Sequence, residues 1–477
     1  MARRSSRLSA SAAQSELAEA LAALRVQLGV PGEWPDAAAV EAEQASAAPL
    51  GELPDLTELE FLTIDPAGST DLDQAMHLTT TDAGFEVHYA IADVPFFVAP
   101  DGALDDETRR RGQTLYAPDG RIPLHPPVIS EGAGSLLPGQ LRRAFVWRFE
   151  LGDDGTVTAT SLTRALVKSR RQWSYDEAQQ AIDDGTAPPA LAPLPAIGKA
   201  LIAQEAARGG ASLNTPDQEV VLTPGGYDVE RRVPLPIEDW NAQISLLTGM
   251  AAAHIMLGGG VGILRTMPPA DDAAIASFRA RTELLDLPWA EGTEYGEYLR
   301  GLDRAQPRAL AVLQAAASLF RNAGYEVFDG APPKQPVQAA LAAPYAHVTA
   351  PLRRLVDRWG LVICEALATG NPVPDWARAS LPELPRIMAT TSSLSGRLDS
   401  GALDRVEAAV FSARVGEEFD AVVLAQNHTR TRIQLAEPAV EASVDSIVGK
   451  PGDTLRVRLV STAIATGAME FAPVAIA

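Results

Sequence analysis

The sequence predicts a multidomain α+β protein: a small helical unit first, a large mixed block next and a small β-barrel last. Three observations carry this prediction. Residues 10–28 set apolar side chains at helical spacing. Residues 57–390 interleave strand-like and helix-like stretches. From Glu417 onward the pattern becomes short strand runs separated by turn residues. A chain of 477 residues has room for about three domains.

The elements follow in order. The helix over 10–28 stops at Gly29, and a second helix over 36–47 starts behind Pro35-Asp36. Together they form either a helix-turn-helix unit or a helical arm packed on the next domain. A Pro-containing linker over 48–56 closes this first region, residues 1–56. In the block 57–413, Phe61–Ile64 and Phe85–Val98 read as strands. Phe145–Leu151 and Val157–Val167 read as a hairpin around Asp153-Asp154-Gly155. Helices are expected over 175–183, 195–207, 238–258, 270–285, 305–323, 352–368 and 387–413. Residues 414–477 hold runs such as FDAVVLAQ, TRIQLA, TLRVRLVS and MEFAPV. Five short strands in such a span suit an OB-type barrel.

Composition narrows the function classes. An apolar fraction of 46% and a charged fraction of 21% are those of an ordinary globular protein. The apolar run Met250–Leu264 is too short to span a bilayer, and Glu16 and Glu19 interrupt a leader-like start at Arg3, Arg4 and Arg7. Cys364 is the single cysteine, so no intramolecular disulfide forms. Its setting, LVICEAL, predicts a buried inert thiol and suits a reducing compartment. A soluble, cytoplasmic monomer is expected, with no membrane and no organic cofactor. Net charge is −21, which argues against a nucleic-acid partner unless basic groups line an interior channel. Clusters at Arg109–Arg111, Arg142-Arg143, Lys168–Arg171 and Arg353-Arg354 could do so.

The densest chemistry lies in FLTIDPAGSTDLDQA, residues 61–75. Asp65 follows a strand, and Asp71 and Asp73 alternate around Leu72. Close carboxylates repel unless they are protonated or share a cation. Hard oxygen ligands suit Mg²⁺, which favours carboxylates together with phosphate oxygens. Taken alone, an Asp-rich loop behind a strand is more often a solvated turn; the other reading is a site that gathers phosphate and Mg²⁺ to cut or move phosphoryl groups.

Seven segments, in order, resemble the RNase II/RNase R family, whose catalytic domain is called RNB. They are TIDPAGSTDLDQA, VHYAIADVPFFV, ALDDETRRRGQTLYAPDGRIPLHPPVISEGAGSL, VKSRRQWSYDEAQ, RGGASLNTPDQEV, LRTMPPADD and YAHVTAPLRRLVDRW. The resemblance implies an RNB-like domain over 57–413 and an OB-fold RNA-binding barrel after it. It also implies 3′→5′ hydrolysis of single-stranded RNA to nucleoside 5′-monophosphates, with Mg²⁺ or Mn²⁺ in a two-metal mechanism. Asp65, Asp71 and Asp73 map to the family's acids, and Arg353 to the arginine beside the scissile phosphate. Tyr116 maps to a base-stacking aromatic. Tyr175 and Tyr345 match family aromatics that line either the channel or the core, and with Thr349 and Arg354 they are expected among the RNA-binding residues. Gln74 stands where relatives carry a fourth acid and is expected among the metal ligands. Ala242, Gln243 and Gly249 replace paired glutamates and an asparagine, and Ala350 replaces a serine. A non-catalytic RNA-binding protein on the same fold is the alternative, and a phosphatase with an aspartate nucleophile a more distant one. A domain start that is helical, rather than cold-shock-like, implies a more open approach for structured RNA.

Overall fold

The computed structural model describes residues 12–211, 217–223, 226–232, 234–303, 306–316, 319, 323–426, 429–435 and 440–474. Arg3, Arg4, Arg7 and the centre of RGGASLNTPDQEV lie outside the described residues.

The first sheet closes into a barrel from five strands. These are β1 (Phe61–Ile64), β2 (Gln74–Thr81), β3 (Gly84–Ala92) and two long strands described below. A short hairpin intervenes, β4 (Leu115–Ala117) and β5 (Gly120–Ile122). Then β6 (Leu141–Leu151) and β7 (Val157–Trp173) pair antiparallel, and β7 closes the barrel by running parallel to β1. Val87–Ala92 of β3 and Ala144–Trp147 of β6 are buried on both faces, whereas the outer ends of β2 and β7 are exposed. Period-two alternation sorts the residues by size. Tyr89, Ile91, Phe145, Trp147 and Phe149 join the large core shared with the helices. Ala90, Ala92, Ala144 and Val146 pack on the other face.

The strand expected over 85–98 ends at Ala92, and Val94–Phe97 forms one helical turn. Pro95 lacks the N–H that a ladder needs. Asp93, fully buried, is held instead by Arg143 Nε at 2.9 Å.

The helix Pro236–Gly259 is long and apolar enough to cross a membrane by length and composition, but Ile244, Leu247, Ala252 and Met256 sit in the main core. It packs on the helices Leu194–Ala207 and Leu355–Ala368. The latter carries Cys364, fully buried with Sγ 3.6 Å from Ala252 O. Burial pushes this thiol far above its usual pKa, so it is inert as expected.

The two N-terminal helices, Ala12–Leu28 and Asp36–Ser46, pack chiefly on different partners. Leu17, Leu21 and Leu24 lie against Leu398, Ala402 and Val406 of the long helix Leu384–Phe411. The second helix instead sends Glu41 to accept Ala103 N at 2.9 Å and Leu104 N at 2.8 Å. It thereby caps the helix Ala103–Arg111 from outside. The arm reading, not the helix-turn-helix unit, describes this packing.

The C-terminal strands Glu418–Gln426, Thr431–Leu435, Glu441–Val444, Thr454–Ala463 and Ala468–Pro473 close into a second five-stranded barrel. Phe411, Phe419 and Phe471 meet edge-on and seat it on the long helix.

Candidate active site

The acidic loop spans one end of the first barrel. Asp65 N still donates to Trp173 O at 3.0 Å, so Asp65 emerges where β1 and β7 end. At the other end of the loop, Ala92 N donates to Asp73 O at 3.0 Å, just before β2 begins. Leu72 is fully buried between the two later acids. Ser135 fixes this stretch: its Oγ accepts Leu72 N at 2.9 Å and donates to Thr70 O at 2.7 Å.

The segment Thr349–Arg354 lies directly over the loop. Leu352 N donates to Asp73 Oδ1 at 2.7 Å, and Arg353 Nε stands 3.4 Å from Asp73 Oδ2. Asp73 is 2% exposed. Burial holds its carboxyl well above the usual range, against the pull of Arg353 and Leu352 N–H, and Asp71 pushes the same way as burial. Asp71 is raised mainly by burial, with Arg121 and Arg353 opposing.

The β4–β5 hairpin forms the third wall. It is stitched to the same segment, with Thr114 N donating to Arg353 O and Leu355 N to Gly112 O, both at 3.0 Å. Tyr116 and Arg121 face each other across it, so both side chains project from one face. Arg121 Nη1 donates to Asp71 Oδ1 and Nη2 to Thr70 Oγ1, and Nη2 lies 2.8 Å from Glu131 Oε1. Tyr116 feels Arg353, Asp71, Asp73 and Arg121, and burial pushes its phenol up to about 12. Asp65, Tyr175 and Asp73 all act on the buried Tyr89, which hydrogen-bonds Ser245. Ser245 in turn meets Thr349 Oγ1 at 2.9 Å.

Asp65, Asp71, Asp73, Arg353, Tyr116, Tyr175 and Thr349 therefore share one neighbourhood. Three other expectations meet a different environment. The Gln74 amide nitrogen donates to Thr349 O, tying β2 to the Arg353 segment. Arg354 spends its fork on Asp357, at 2.9 and 2.8 Å. Burial pulls the Arg354 pKa down, and Asp357 together with Tyr345 and Tyr325 turns this into a net rise. Tyr345 is buried edge-on to His347, with ring centroids 5.5 Å apart.

The helix Pro236–Gly259 explains its own departures from the family pattern. Ala242 is exposed, and Gln243 Nε2 donates to Glu205 Oε2 at 2.8 Å. A Cβ at Gly249 would come 2.1 Å from Tyr345 Cε2. An asparagine there would force Tyr345 out. The basic clusters are similarly engaged. Arg109, Arg110 and Arg111 bind Asp105 and Glu107, and Arg171 stacks 3.5 Å from the Trp173 ring centroid. Arg121 was missed at the sequence level; Pro118-Asp119-Gly120 is the turn signal that could have placed it opposite Tyr116.

The donor set fits a hard divalent cation: all oxygens, with burial destabilising the anionic forms of Asp71 and Asp73 and the Asp71 charge adding to this at Asp73. Among the described residues no three His, Cys, Asp or Glu side chains already surround one point. Arg121 and Arg353 instead supply the positive charge.

One buried histidine supports this site and sets a pH limit. His125 is 1% exposed, and its Nδ1 lies 3.0 Å from Leu352 O, which can only accept. Burial lowers its pKa to about 4. The unfolded chain then binds this proton first as pH falls. The stability is complete above the unfolded pKa and is lost between about pH 6.5 and pH 4. Urea unfolding is expected to show a loss of about 2 kcal/mol from this group between pH 7 and pH 5. His125→Asn, which keeps the donor to Leu352 O, is expected to remove that component. An unchanged pH slope in this variant would contradict the assignment.

Known proteins share this arrangement of domains. The RNB domain profile matches residues 54–365, and that of the RNase II-type exonuclease C-terminal S1 domain matches residues 417–474. Ribonuclease R of Acidithiobacillus ferrooxidans is 35% identical over 153 residues, covering 31% of this chain and 35% of that protein. A protein of Arabidopsis thaliana named inactive exonuclease DIS3L2 is 42% identical over 130 residues, covering 27% of this chain and 12% of that protein. The chain thus aligns with only a minor part of these curated relatives. The apo form of Mycoplasma genitalium RNase R superposes with a TM-score of 0.87 at 18% identity, over 97% of this chain and 78% of that one.

Proposed function

The chain belongs to the RNase II/RNase R (RNB) family, and from that membership we propose that it is a Mg²⁺-dependent 3′→5′ exoribonuclease. It hydrolyses single-stranded RNA to nucleoside 5′-monophosphates. The carrying observation is the convergence of Asp71, Asp73, Arg121, Arg353 and Tyr116 at one end of the first barrel.

Asp65, Asp71 and Asp73 would hold the divalent cation, one or two ions as in the family mechanism. Such ions supply charge stabilisation on phosphoryl oxygens and ease formation of the attacking hydroxide near neutral pH. Arg353 presents a fixed planar guanidinium where charge develops on the phosphate. Leu352 N–H holds one oxygen of Asp73, and Ser135 holds the Thr70–Leu72 backbone, so the loop that carries the acids is fixed in place. Tyr116 offers a neutral ring for stacking, which tolerates any base.

The decisive experiment mixes the protein with 5′-labelled single-stranded RNA in Mg²⁺ or in EDTA. A ladder shortening from the 3′ end in Mg²⁺, absent in EDTA, is expected, with nucleoside 5′-monophosphates as product. Binding without shortening in either condition favours the second reading, a non-catalytic RNA-binding protein. The arginines already seated on Asp71 and Asp73, and Gln74 in place of an acid, are what favour that second reading.

A further inference from the structure

Asp71 and Asp73 each carry their own arginine, and the two pairs differ. Arg353 Nε lies 3.4 Å from Asp73 Oδ2. Arg121 engages Asp71, Thr70 Oγ1 and Glu131 together. Glu131 Oε2 also accepts the Thr70 hydroxyl at 3.1 Å. Arg121 therefore has a second anchor that does not depend on Asp71.

We propose that Arg121 is a phosphate-binding residue held in reserve: it neutralises Asp71 in the free protein and passes to an RNA phosphate when a divalent cation takes Asp71. This rests on the reading that the site binds RNA together with a cation. A guanidinium and a dication cannot both sit on one carboxylate without strong like-charge repulsion. The cation therefore displaces the arginine from Asp71. Glu131 and Thr70 keep it beside the site rather than in bulk water. The Nη1 that Asp71 releases can donate to a phosphate oxygen while Nη2 stays on Thr70 and Glu131. Tyr116, opposite Arg121 on the same hairpin face, then meets a base while Arg121 meets the adjoining backbone. The Arg121 side chain is 26% exposed and that of Asp71 14%.

The exchange makes two predictions for Arg121→Met, neither of which reads turnover. Mn²⁺ binding without RNA, followed by electron paramagnetic resonance, is expected to tighten about five-fold or more, because Asp71 loses its competitor. Binding of 2′-O-methylated oligoadenylate in Mn²⁺, followed by fluorescence anisotropy, is expected to weaken. Its salt slope should fall by about 0.7, one phosphate contact on a single strand. Arg121→Lys keeps the charge and is expected to restore most of the slope. Unchanged or weaker Mn²⁺ binding in Arg121→Met would overturn the proposal, as would equal salt slopes for the wild type and both variants. Cleavage of unmodified RNA by the wild-type protein is scored separately, so failure of the nuclease reading and failure of the exchange give different results.

Discussion

Asp73→Asn is expected to slow RNA shortening by at least about 10²-fold, the scale of losing one preorganised charge-stabilising group, while leaving the fold as stable as before or more so. The two effects share one cause. Asp73 Oδ1 accepts Leu352 N at 2.7 Å, and an asparagine oxygen can do the same. Its other oxygen faces Arg353 and, in the proposed reaction, the cation. The amide removes the charge that both need. Burial already makes the Asp73 anion unfavourable, so a neutral side chain of the same shape relieves a strain built in for function. Rates come from the 5′-labelled ladder, binding from anisotropy and stability from thermal melting. A variant that shortens RNA at the wild-type rate would remove Asp73 from the chemistry. A variant that binds, melts no lower and does not cut would place it there.

The largest loss of stability is expected away from the acids, at Asp105. This residue is fully buried and pairs with Arg358, itself 1% exposed. Arg358 Nη2 also donates to Val98 O at 2.9 Å, and its guanidinium lies 4.9 Å from the Trp359 ring and 4.8 Å from that of Trp376. Asp105 Oδ2 accepts Asp101 N and Arg109 Nε, both at 3.1 Å. The pair joins the helix Ala103–Arg111 to the helix that follows Arg353. Burial lowers the Arg358 pKa despite the carboxylate, a sign of how poorly the cation is solvated. Asp105→Ala leaves that cation without its carboxylate and is expected to lower the unfolding free energy by about 3–5 kcal/mol. Asp105→Leu combined with Arg358→Met removes both charges and is expected to recover most of the loss. Urea unfolding of the single and double variants checks both statements. A double variant no more stable than Asp105→Ala would show that the loss is one of packing rather than of an orphaned charge.

The acidic loop was legible because its three acids lie within nine consecutive positions behind a clear strand. The C-terminal barrel was legible because period-two runs and turn residues repeat closely. What escaped was set by tertiary contacts. Arg121 reaches Asp71 across 50 positions through a hairpin of three-residue strands, too short for any periodic signal. Arg353 and Arg354 read as one basic patch, yet Arg354 is extended, with φ −133° and ψ 125°. Neighbours on extended backbone point to opposite sides. One arginine therefore faces the acids and the other Asp357. Gln74 read as a weakened metal ligand because the sequence gives no hint that Thr349 O lies beside it. The helix Leu355–Ala368 begins three residues later than expected. Pro351 and the extended Arg354 hold the preceding segment over the acids instead of letting it coil.

The sequestered thiol of Cys364 has a practical corollary. Maleimide reagents attack thiolates they can reach, and this one is both protonated and walled in by the helix core. A cysteine introduced on the rim of either barrel becomes the sole attachment point for a fluorophore or spin label, with no native residue to delete first. Pairs of such labels, one per barrel, turn the spacing of the two barrels into a set of measurable distances.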